Sequence, residues 1–579
     1  MNHAKARAEN GWPHMSVTEV EAQLCRAGRF EVEDQVIDGI PTRVWKNAVP
    51  DMAAVVRHAG THGEGVFLIL DDERLSYVDF ARAVAALASE LVGLGVEKGD
   101  RVAVAMRNLP EWPVCFFAAA SIGAIAVPLN AWWTGAELEF ALRDSGARIV
   151  LCDAPRAAAI EPFRCGLPML EHVIVARDDA GGAGSLERRI GAVGDYGRLP
   201  VGPIPDVSLA PDEDVAIFYT SGTTGAPKGA VATHRNLLSN ILSTAYASAR
   251  TILRRGQALP APRRRTALHV IPFFHVTGFS ARLLGAMFSG DTLVLMHKWD
   301  TERAFALIER EGIDSAGGVP TIAWQLIEHP ARARYDLSSL DLISYGGAPA
   351  APELARRIAT EFGAAPGVGW GMTETCGTVT NHSGEDYLAR PDSCGPAVAV
   401  AELKIAGDDG AALPTGTVGE LWARGPMVVR RYWNRPDATT ATFVDGWVRT
   451  GDIARLDEEG FCYIVDRAKD VIIRGGENIY SSEVENVLFE FPGVTDAALI
   501  GLPDRVLGEV PAAVVHLAAD ATGDEEVLRQ WVRDHLAAFK VPVAIRFSDE
   551  TLPRNANGKI LKPELRRFFD DYSISSTPL

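Results

Sequence analysis

The segment VAIFYTSGTTGAPKG, residues 215–229, limits the fold and function of this chain more sharply than any other stretch. It begins with four apolar residues, of which Val215 and Ile217 are β-branched, as expected of a buried strand. Residues 219–229 then contain four Ser or Thr hydroxyls, three glycines and one lysine. Glycines let the backbone approach a ligand, while hydroxyls, backbone N–H groups and a lysine bind phosphate oxygens. The segment therefore predicts a strand that leads into a phosphate-binding loop.

The predicted phosphate contacts of this loop are Thr220, Ser221, Gly222, Thr223, Thr224, Gly225 and Lys228. The loop differs from a Walker A sequence, in which a Gly-Lys pair is followed by Ser or Thr. Here the lysine lies between Pro227 and Gly229. The spacing therefore disfavours a P-loop nucleotidase while still predicting phosphate binding.

The composition excludes several classes of protein. The chain has 579 residues, with 57 Lys and Arg against 75 Asp and Glu, and a net charge of −18. This acidic balance disfavours binding to nucleic acid or to anionic lipid, because both require a basic surface. The seven cysteines form no CxxC pair, which disfavours a zinc ribbon, a thioredoxin motif and a disulfide framework. We therefore expect free thiols in a reducing compartment.

The sequence predicts neither a secretory signal nor an integral membrane segment. Residues 1–24 mix charges of both signs and lack an apolar core. Residues 112–136 are uncharged, but Pro113 and Pro128 interrupt them. We expect a buried helix followed by a strand in that run, and a cytoplasmic protein.

Helical and strand patterns alternate along the first part of the chain. Apolar residues recur at helical spacing over 77–94, and short strands are predicted at 101–105 and 147–151. Similar strands return near 292–295 and 341–344. This alternation is typical of parallel sheets with helices on their faces.

The pattern changes in the last third of the chain. Short β segments follow Gly419, and a compact unit of strands and helices follows Arg467. The predicted fold class is therefore α/β: a large N-terminal domain of parallel sheets flanked by helices, a small β-rich subdomain and a small α+β C-terminal domain. The arginine-rich stretch 254–265 predicts either a solvated loop or a docking site for a phosphate-bearing ligand.

A second motif with chemical meaning is GWGMTE, residues 369–374. An aromatic ring between glycines can stack on a base, which contributes about 1–3 kcal/mol, and Trp370 would supply that ring. Thr373 adds a hydroxyl, and Glu374 adds a hard oxygen ligand suited to Mg²⁺. The glycines of YGGAP, residues 345–349, would let the backbone approach a flat ligand.

These segments together resemble the motifs of the AMP-forming, adenylate-forming enzyme superfamily, in the same order. The resemblance runs from about Asp71 to Arg567 and points to the acyl-CoA ligase branch. It implies that the chain uses ATP and Mg²⁺ to convert a carboxylic acid to an acyl-adenylate and pyrophosphate, and then forms a thioester with coenzyme A. The implied partners are thus small molecules, and the sequence leaves the oligomeric state open, a homodimer included.

The resemblance also assigns roles to single residues. Asp452 matches the aspartate that accepts the ribose hydroxyls, and Arg467 matches an arginine beside the ribose and phosphates. Lys469 resembles the hinge residue between a large and a small domain. The implied catalytic residues are Lys559, Glu374, Thr373 and His275, with Glu374 as the metal ligand. The other residues implied to contact the nucleotide or coenzyme A are Gly347, Ala348, Trp370, Gly475 and Gly476.

The order of the motifs divides the chain into four parts. We predict an N-terminal extension over residues 1–50 and an ATP- and acid-binding domain over residues 51–466. A hinge at residues 467–470 then leads to a mobile C-terminal domain, residues 471–579, which carries Lys559. By resemblance, this small domain rotates between the two half-reactions.

The acid is the partner that the sequence determines least. The segment PFFHVTG, residues 272–278, resembles the acyl entrance of fatty-acyl ligases, and no aspartate that would bind an α-amino group occurs in residues 273–280. The residues implied to line the acid pocket are His275, Thr277, Gly278, Trp324, Tyr345, Gly346 and Met372. The leading expectation is a medium- or long-chain fatty acid, with an aryl acid, a sterol-derived acid or the loading of a carrier protein left open.

Trp370 and Tyr345 are among the residues that depart from the pattern of the family. Trp370 replaces the usual tyrosine and so keeps a stacking face without the hydroxyl. Tyr345 is bulkier than the residue often found there, and we expect it to narrow the acid pocket.

Overall fold

The computed structural model describes residues 12–178, 184–220, 227–347, 350–407, 409–518, 521–554 and 560–570. In this part of the chain the helices are Val17–Leu24 (α1), Met52–Gly60 (α2), Tyr77–Gly93 (α3), Glu111–Ser121 (α4), Gly135–Ser145 (α5), Ala154–Ile160 (α6), Leu186–Ile190 (α7), His234–Arg254 (α8), Leu284–Ser289 (α9), Thr301–Glu311 (α10), Pro320–Glu328 (α11), Pro352–Phe362 (α12), Glu385–Ala389 (α13), Pro436–Thr442 (α14), Ser481–Phe489 (α15), Glu525–His535 (α16) and Lys562–Leu565 (α17).

The strands are Val32–Ile37 (β1), Ile40–Trp45 (β2), Val66–Leu70 (β3), Glu73–Ser76 (β4), Arg101–Ala105 (β5), Ile125–Pro128 (β6), Ile149–Asp153 (β7), His172–Ala176 (β8), Asp214–Tyr219 (β9), Gly229–Thr233 (β10), Thr266–His269 (β11), Thr292–Leu295 (β12), Ser315–Gly318 (β13), Leu342–Gly346 (β14), Ala365–Trp370 (β15), Thr380–Ser383 (β16), Gly395–Pro396 (β17), Glu402–Ala406 (β18), Gly419–Arg424 (β19), Phe443–Val444 (β20), Trp447–Leu456 (β21), Phe461–Arg467 (β22), Ile472–Arg474 (β23), Glu477–Ile479 (β24), Val494–Asp504 (β25), Gly508–Leu517 (β26) and Ala544–Phe547 (β27).

The first sheet has the strand order β10-β9-β6-β5-β7-β8. Its strands run parallel except for β10, which pairs antiparallel with β9. Helix α4 crosses from β5 to β6, and every one of its residues is buried. The buried helix and strand expected within residues 112–136 are thereby confirmed as α4 and β6.

The second sheet has the order β16-β15-β14-β13-β11-β12-β3-β4, with parallel pairing everywhere except at its two edge strands. One face, which carries Leu268, Ile343 and Tyr345, packs against helices α10 to α12. The other face, which carries Ala267 and Leu293, shares a core with the first sheet. Ligand sites in such sheets lie at the carboxyl ends of the strands, where the predicted motifs after β9, β14 and β15 also lie.

The third sheet is antiparallel, with the order β17-β22-β21-β19-β18. Its long central pair, β21 and β22, places Asp452 directly opposite Arg467. The α/β class with a β-rich subdomain is therefore confirmed, and two residues assigned to the ribose are neighbours by strand register.

The C-terminal unit is a separate sheet with the order β24-β23-β26-β25, to which β27 adds beside β26. Helices α15 and α16 cover one side of it. Helix α16 begins at Glu525, because the Asp524 carboxylate caps it by accepting a hydrogen bond from Val527 N at 2.9 Å. It ends at His535, before a short 3₁₀ turn.

A polar cluster joins this unit to the end of β22. The Ser481 backbone N–H donates to the Asp466 carboxylate, and its hydroxyl donates to Asp466 Oδ1 at 3.0 Å. Lys562 Nζ in turn donates to Ser481 Oγ at 2.6 Å. Burial raises the pKa of Asp466 to about 6. The chain changes sheets between Arg467 and Ile472, and the domain limits themselves stay a prediction.

The N-terminal part, as far as it is described, packs on helix α8. Trp45 Nε1 donates to Ser243 Oγ at 3.1 Å, and Arg254 Nη1 donates to the Met15 carbonyl at 3.0 Å. Helix α1 and the β1–β2 hairpin therefore form part of the same core as the end of α8.

Two arginines of the stretch 254–265 form ion pairs with distant carboxylates. Arg254 is fully buried at the end of α8, and its Nε donates to both oxygens of Asp386, at 3.0 and 2.9 Å. Arg263 pairs with Asp341 at 2.5 Å. The expectation of a solvated loop is thus wrong for Arg254, because its guanidinium compensates a buried carboxylate.

Among the described helices, none combines the length and the apolar character that a bilayer crossing requires.

Because the Arg254–Asp386 pair is buried, we expect that removing one of its charges lowers the free energy of unfolding substantially. Asp386→Asn removes the carboxylate that is hydrogen-bonded to the fully buried guanidinium and leaves Glu459, whose Oε2 lies 3.7 Å from Arg254 Nη2, as the second carboxylate beside it. Removing one partner of a buried ion pair typically costs about 3–5 kcal/mol, and Glu459 places the expected loss toward the lower end of that range. We expect a clear fall in the free energy of unfolding, measured by urea denaturation with tryptophan fluorescence. Asp341→Asn, which breaks the exposed pair with Arg263, is the matched control and should leave stability unchanged within error. Equal losses in the two variants would contradict the assignment.

Candidate active site

The phosphate-loop segment is a hairpin between antiparallel strands. β9 and β10 pair Tyr219 with Gly229, and Thr220 N donates to the Lys228 carbonyl at 2.8 Å. Both predicted contacts at the base of the loop are therefore held at the carboxyl end of β9. The predicted contacts Ser221, Gly222, Thr223, Thr224 and Gly225 lie outside the described residues.

Lys228 belongs to a cluster that also contains a residue missed from the sequence. Its Nζ lies 5.2 Å from the centre of the Tyr432 ring, a cation–π contact. The Tyr432 hydroxyl donates to Glu374 Oε1 at 2.6 Å. Glu374 is 7% exposed, and burial raises its pKa against the lowering effects of Tyr432, Arg467 and Lys228. The predicted metal ligand, which is buried, and the phosphate-loop lysine, which is exposed, thus lie on the two sides of Tyr432.

No local signal identified Tyr432, because it lies 58 residues from Glu374 in the sequence. It follows two arginines in the segment RRYWN, residues 430–434, which resembles an ordinary surface turn. Tertiary contacts bring the two together: Tyr432 forms an antiparallel bridge with Ala230 of β10, and Val429 N donates to the Glu374 carbonyl at 2.9 Å.

The predicted nucleoside contacts form a second cluster around Asp452. Trp370 Nε1 donates to Asp452 Oδ2 at 2.8 Å, and Arg467 Nε lies 2.6 Å from Oδ1. Asp452 is only 2% exposed. The indole N–H therefore supplies a donor in place of the hydroxyl that Trp370 lacks, and it holds the edge of the ring against the carboxylate that was predicted to contact the ribose.

The chain after Trp370 turns sharply and presents Thr373 and Glu374. A Cβ at Gly371 would lie 1.7 Å from the Gly377 carbonyl oxygen, so this approach requires glycine. Thr375 stabilises the turn, since its Oγ1 accepts from Met372 N at 2.9 Å and donates to Gly377 O at 3.0 Å.

The segment around His275 forms one wall beside this turn. Thr277 N donates to His275 Nδ1 at 3.2 Å, so the neutral imidazole carries its proton on Nε2. Burial lowers the pKa of His275 to about 4. Gly278 packs against the Pro272 carbonyl so closely that a Cβ would lie 2.2 Å from its oxygen. The following residues form a π-helical segment, Thr277–Leu283, a form frequent at functional sites.

The remaining predicted acid contacts fall on both sides of the second sheet. Gly346 lies opposite Gly369 in the β14–β15 pairing, and Gly347 follows with a φ of +79°. Tyr345 points to the opposite face, where it is 4% exposed and its hydroxyl lies 2.8 Å from that of Tyr387. The expected narrowing of the pocket by Tyr345 is therefore not seen, because alternate residues of a strand face opposite sides.

Trp324 belongs to the same far side as Tyr345. It packs against the helix-covered face of the second sheet, and Arg357 lies 5.3 Å from the centre of its ring. Its role in the acid pocket stays a prediction from the sequence. Ala348 lies outside the described residues.

The predicted residues of the C-terminal part that the structure describes lie in turns. Gly475 and Gly476 form the exposed two-residue turn between β23 and β24, both with positive φ, of 61° and 92°. Lys469 lies in the turn after β22, where burial lowers its pKa. Lys559 lies outside the described residues, and its neighbours Arg554 and Ile560 form an antiparallel bridge.

Comparison with known proteins agrees with this geometry. The AMP-binding enzyme model matches residues 55–433, and the model of the AMP-binding enzyme C-terminal domain matches residues 483–559. The long-chain-fatty-acid–CoA ligase FadD13 of Mycobacterium tuberculosis is 36% identical over 495 residues, which cover 86% of this chain and 93% of the relative. Feruloyl-CoA synthase of an Amycolatopsis species is 36% identical over 524 residues, covering 89% and 96%.

A solved structure described as a Mycobacterium tuberculosis fatty acyl CoA synthetase shares this fold. It is 32% identical in sequence, has a TM-score of 0.69, and the match covers 90% of this chain and 99% of that one. The chain therefore belongs to the family of AMP-binding enzymes, in its acyl-CoA ligase branch.

Proposed function

We propose that this chain activates a carboxylic acid with ATP, releasing pyrophosphate, and then transfers the acyl group from AMP to the thiol of coenzyme A. The observation that carries the proposal is the convergence of two clusters from distant motifs, Trp370–Asp452–Arg467 and Lys228–Tyr432–Glu374, in a chain of this family. The first suits a nucleoside and the second suits its phosphates.

The nucleoside side follows from the Asp452 cluster. Trp370 offers an aromatic face on which adenine can stack. Asp452 is a carboxylate, an acceptor with about four lone-pair sites, which suits it to receive ribose hydroxyls. Arg467 keeps part of its side chain exposed, 38%, and is placed to neutralise phosphate charge.

The phosphate side follows from the Glu374 cluster. Among the described residues, no group of three or more His, Cys, Asp or Glu side chains could hold a metal ion. Mg²⁺ in nucleotide enzymes is commonly bound by one or two carboxylates together with substrate phosphates, so the single buried Glu374 beside Lys228 fits it. Such an ion would neutralise charge on the pyrophosphate leaving group. Tyr432 orients the carboxylate, and Lys228 binds phosphate oxygen directly.

The first step needs alignment rather than a base, because a carboxylate is already a nucleophile. Placing it in line with the α-phosphorus can contribute roughly 7–11 kcal/mol in favourable cases. His275 is suited to this as a neutral Nε2–H donor at the acid entrance. Lys559 is assigned to the charge that develops between the acyl carboxylate and the α-phosphate.

In the second step the thiol attacks the acyl carbon and AMP leaves with the bonding electron pair. Lys559 would obstruct the thiol, so the C-terminal domain rotates about Lys469 and presents the Gly475–Gly476 turn instead. The exposed position of that turn is compatible with lining a channel for the pantetheine arm. The remaining nucleotide and acid contacts in this proposal are made by Thr373, Gly346, Gly347 and Ala348.

The acid is proposed to be a medium- or long-chain fatty acid. The FadD13 relative is named for long-chain fatty acids, and the π-helical wall beside His275 lies against a largely apolar core. An aryl acid is the second candidate, which the similarity to a feruloyl-CoA synthase favours. Pyrophosphate release across fatty, benzoic, cinnamic and arylalkanoic acids, followed by thioester formation with coenzyme A or a carrier protein, tests the proposal.

Lys559→Ala should abolish the first half-reaction and spare the second. The lysine is assigned only to charge that develops during adenylation, so thioester formation from a supplied acyl-adenylate needs no such charge. The measurements are pyrophosphate release from ATP and acid, and acyl-CoA formation from the synthetic adenylate. Lys46→Ala on the exposed β1–β2 hairpin is the control. Equal loss of both half-reactions would refute the assignment.

Tyr432→Phe should lower adenylation without unfolding the protein. Hydrogen bonds to charged groups contribute about 1.5–3 kcal/mol, so kcat/KM for pyrophosphate release should fall about 10- to 100-fold. Tyr463→Phe is the matched control, since its hydroxyl lies 3.0 Å from Asp457 on a hairpin of the third sheet. Wild-type rates in Tyr432→Phe would show that Glu374 needs no orientation by this hydroxyl.

His275→Gln should lower kcat/KM for the acid by about 10-fold through loss of a well-placed donor. Because the pKa of His275 is lowered to about 4, the imidazole stays neutral above that pH and gains charge only below it. The ratio of wild-type to variant kcat/KM should therefore be constant from pH 6 to pH 9. A ratio that changes steeply near pH 6.5 would mean that His275 titrates during catalysis.

A further inference from the structure

Arg282 is a guanidinium placed between the two parallel sheets. It lies on the π-helical segment Thr277–Leu283, seven residues after His275. Its Nη1 donates to Ser315 Oγ at 3.2 Å, and its Nη2 donates to Ser344 Oγ. Both serines lie on neighbouring strands, β13 and β14, on the face opposite Tyr345. Arg282 therefore faces the same space as Gly346 and the acid-side wall.

This cation has no counter-charge in the described structure. No Asp or Glu of the described residues lies within ion-pair distance of it, and burial alone lowers its pKa. A guanidinium carries five N–H donors in a planar fork, whereas the two serines are neutral acceptors. Arg282 keeps part of its surface accessible, so its remaining N–H donors are open to a further acceptor, and a charge in so confined a space is stabilised by one.

A second polar group beside Arg282 is also unsatisfied. His269, the last residue of β11, is 2% exposed, and its Nε2 has no hydrogen-bond partner in the described structure. Burial and the Arg282 charge lower the pKa of His269 to about 3, so the ring is neutral. Ala267 pairs with Ser315, which places His269, two residues later, on the same face as Ser315.

The position of Arg282 relative to the predicted acid contacts indicates how far into the acid pocket it lies. The serines that accept from Arg282 lie below the predicted acid contact Gly346 along the strands: Ser344 is two residues before it, and Ser315 pairs with Leu342, four residues before it. At about 3.3 Å per residue, these separations correspond to roughly 7–13 Å. If His275 borders the reacting carboxylate, Arg282 lies at the far end of the acid. A chain of eight to ten carbons or a ring with a short side chain would span that length.

We propose that Arg282 determines specificity by binding an oxygen acceptor on the far end of the acid, with His269 beside it. The acceptor is a carbonyl, a hydroxyl or a second carboxylate. This inference rests on the proposed function and applies to either a fatty or an aryl skeleton. A plain hydrocarbon end would leave the donors of Arg282 unmatched, and a site built for a hydrogen bond rejects the analogue that lacks it.

The test compares acids that differ only at the far end. The first series is decanoate, its methyl ketone with the oxo group on the penultimate carbon, and the dicarboxylate decanedioate. The second is phenylpropanoate and its para-hydroxy analogue. Pyrophosphate release with ATP, without coenzyme A, gives kcat/KM for wild type, Arg282→Met and Arg282→Lys. Arg356→Met on the exposed face of α12 is the matched control.

We expect wild type to favour an oxygen-bearing acid over its hydrocarbon partner by at least about 10-fold. Arg282→Met should lose that preference, with a lower rate on the oxygenated acid and an equal or higher rate on the hydrocarbon. Arg282→Lys should keep part of the preference, and Arg356→Met should keep all of it. Comparing the rates on the ketone and hydroxy acids with the rate on the dicarboxylate shows whether the site prefers a neutral or an anionic acceptor. A preference for either kind of acceptor over the hydrocarbon supports the inference.

Two outcomes would overturn the inference in different ways. Release of pyrophosphate with no preference in wild type, or with a preference for the hydrocarbon, would overturn it while leaving the proposed function intact. No release with any acid of the wider fatty and aryl panel would overturn the proposed function and this inference together. The thermal midpoint of Arg282→Met shows whether this variant folds. If it does not fold, the preference of the wild type between oxygenated and hydrocarbon acids still tests the inference.

Discussion

The buried carboxylate of Asp452 is the constraint on which the nucleotide site depends. It accepts from Trp370 on β15 and from Arg467 on β22, while it lies itself on β21. These three strands come from two sheets, so a single carboxylate fixes how the β-rich subdomain meets the parallel sheet. A buried carboxylate is stable only when donors satisfy it, and here both donors are also the groups that a nucleoside would contact.

Glu374, four residues after Trp370, is a second buried carboxylate whose donor comes from a distant part of the chain. The Tyr432 hydroxyl donates to one carboxylate oxygen, and the Tyr432 ring makes a cation–π contact with Lys228, which precedes β10 of the first sheet. The phosphate loop, the turn after β15 and the segment before α14 are thus joined through one tyrosine. Electrostatic pre-organisation of this kind lets charge develop on a substrate without rearrangement of the protein.

Sequence patterns singled out most of the residues that the structure brings together here, and the misses have physical causes. Short motifs of glycines, hydroxyls and charges pointed to Thr220, Lys228, Trp370 and Glu374, whereas Asp452 and Arg467 were assigned by resemblance to the family. Tyr432 carries no such motif, and its bridge to Ala230 of β10 and the bond from Val429 N to the Glu374 carbonyl place it beside Glu374. Tyr345 was placed on the acid side from its neighbours, whereas strand alternation turns its side chain to the opposite face.

The sequence by itself determined the α/β class, the order of the motifs and the chemistry of a nucleotide-binding family, because these depend on local spacing and residue type. Tertiary structure decided which buried charges are paired. Arg254, expected in a solvated loop, compensates Asp386, while Arg282, unremarkable in sequence, donates to two hydroxyls and to no carboxylate of the described residues. Whether a charge is compensated depends on groups distant along the chain and on the exclusion of water around them, and no local pattern records either.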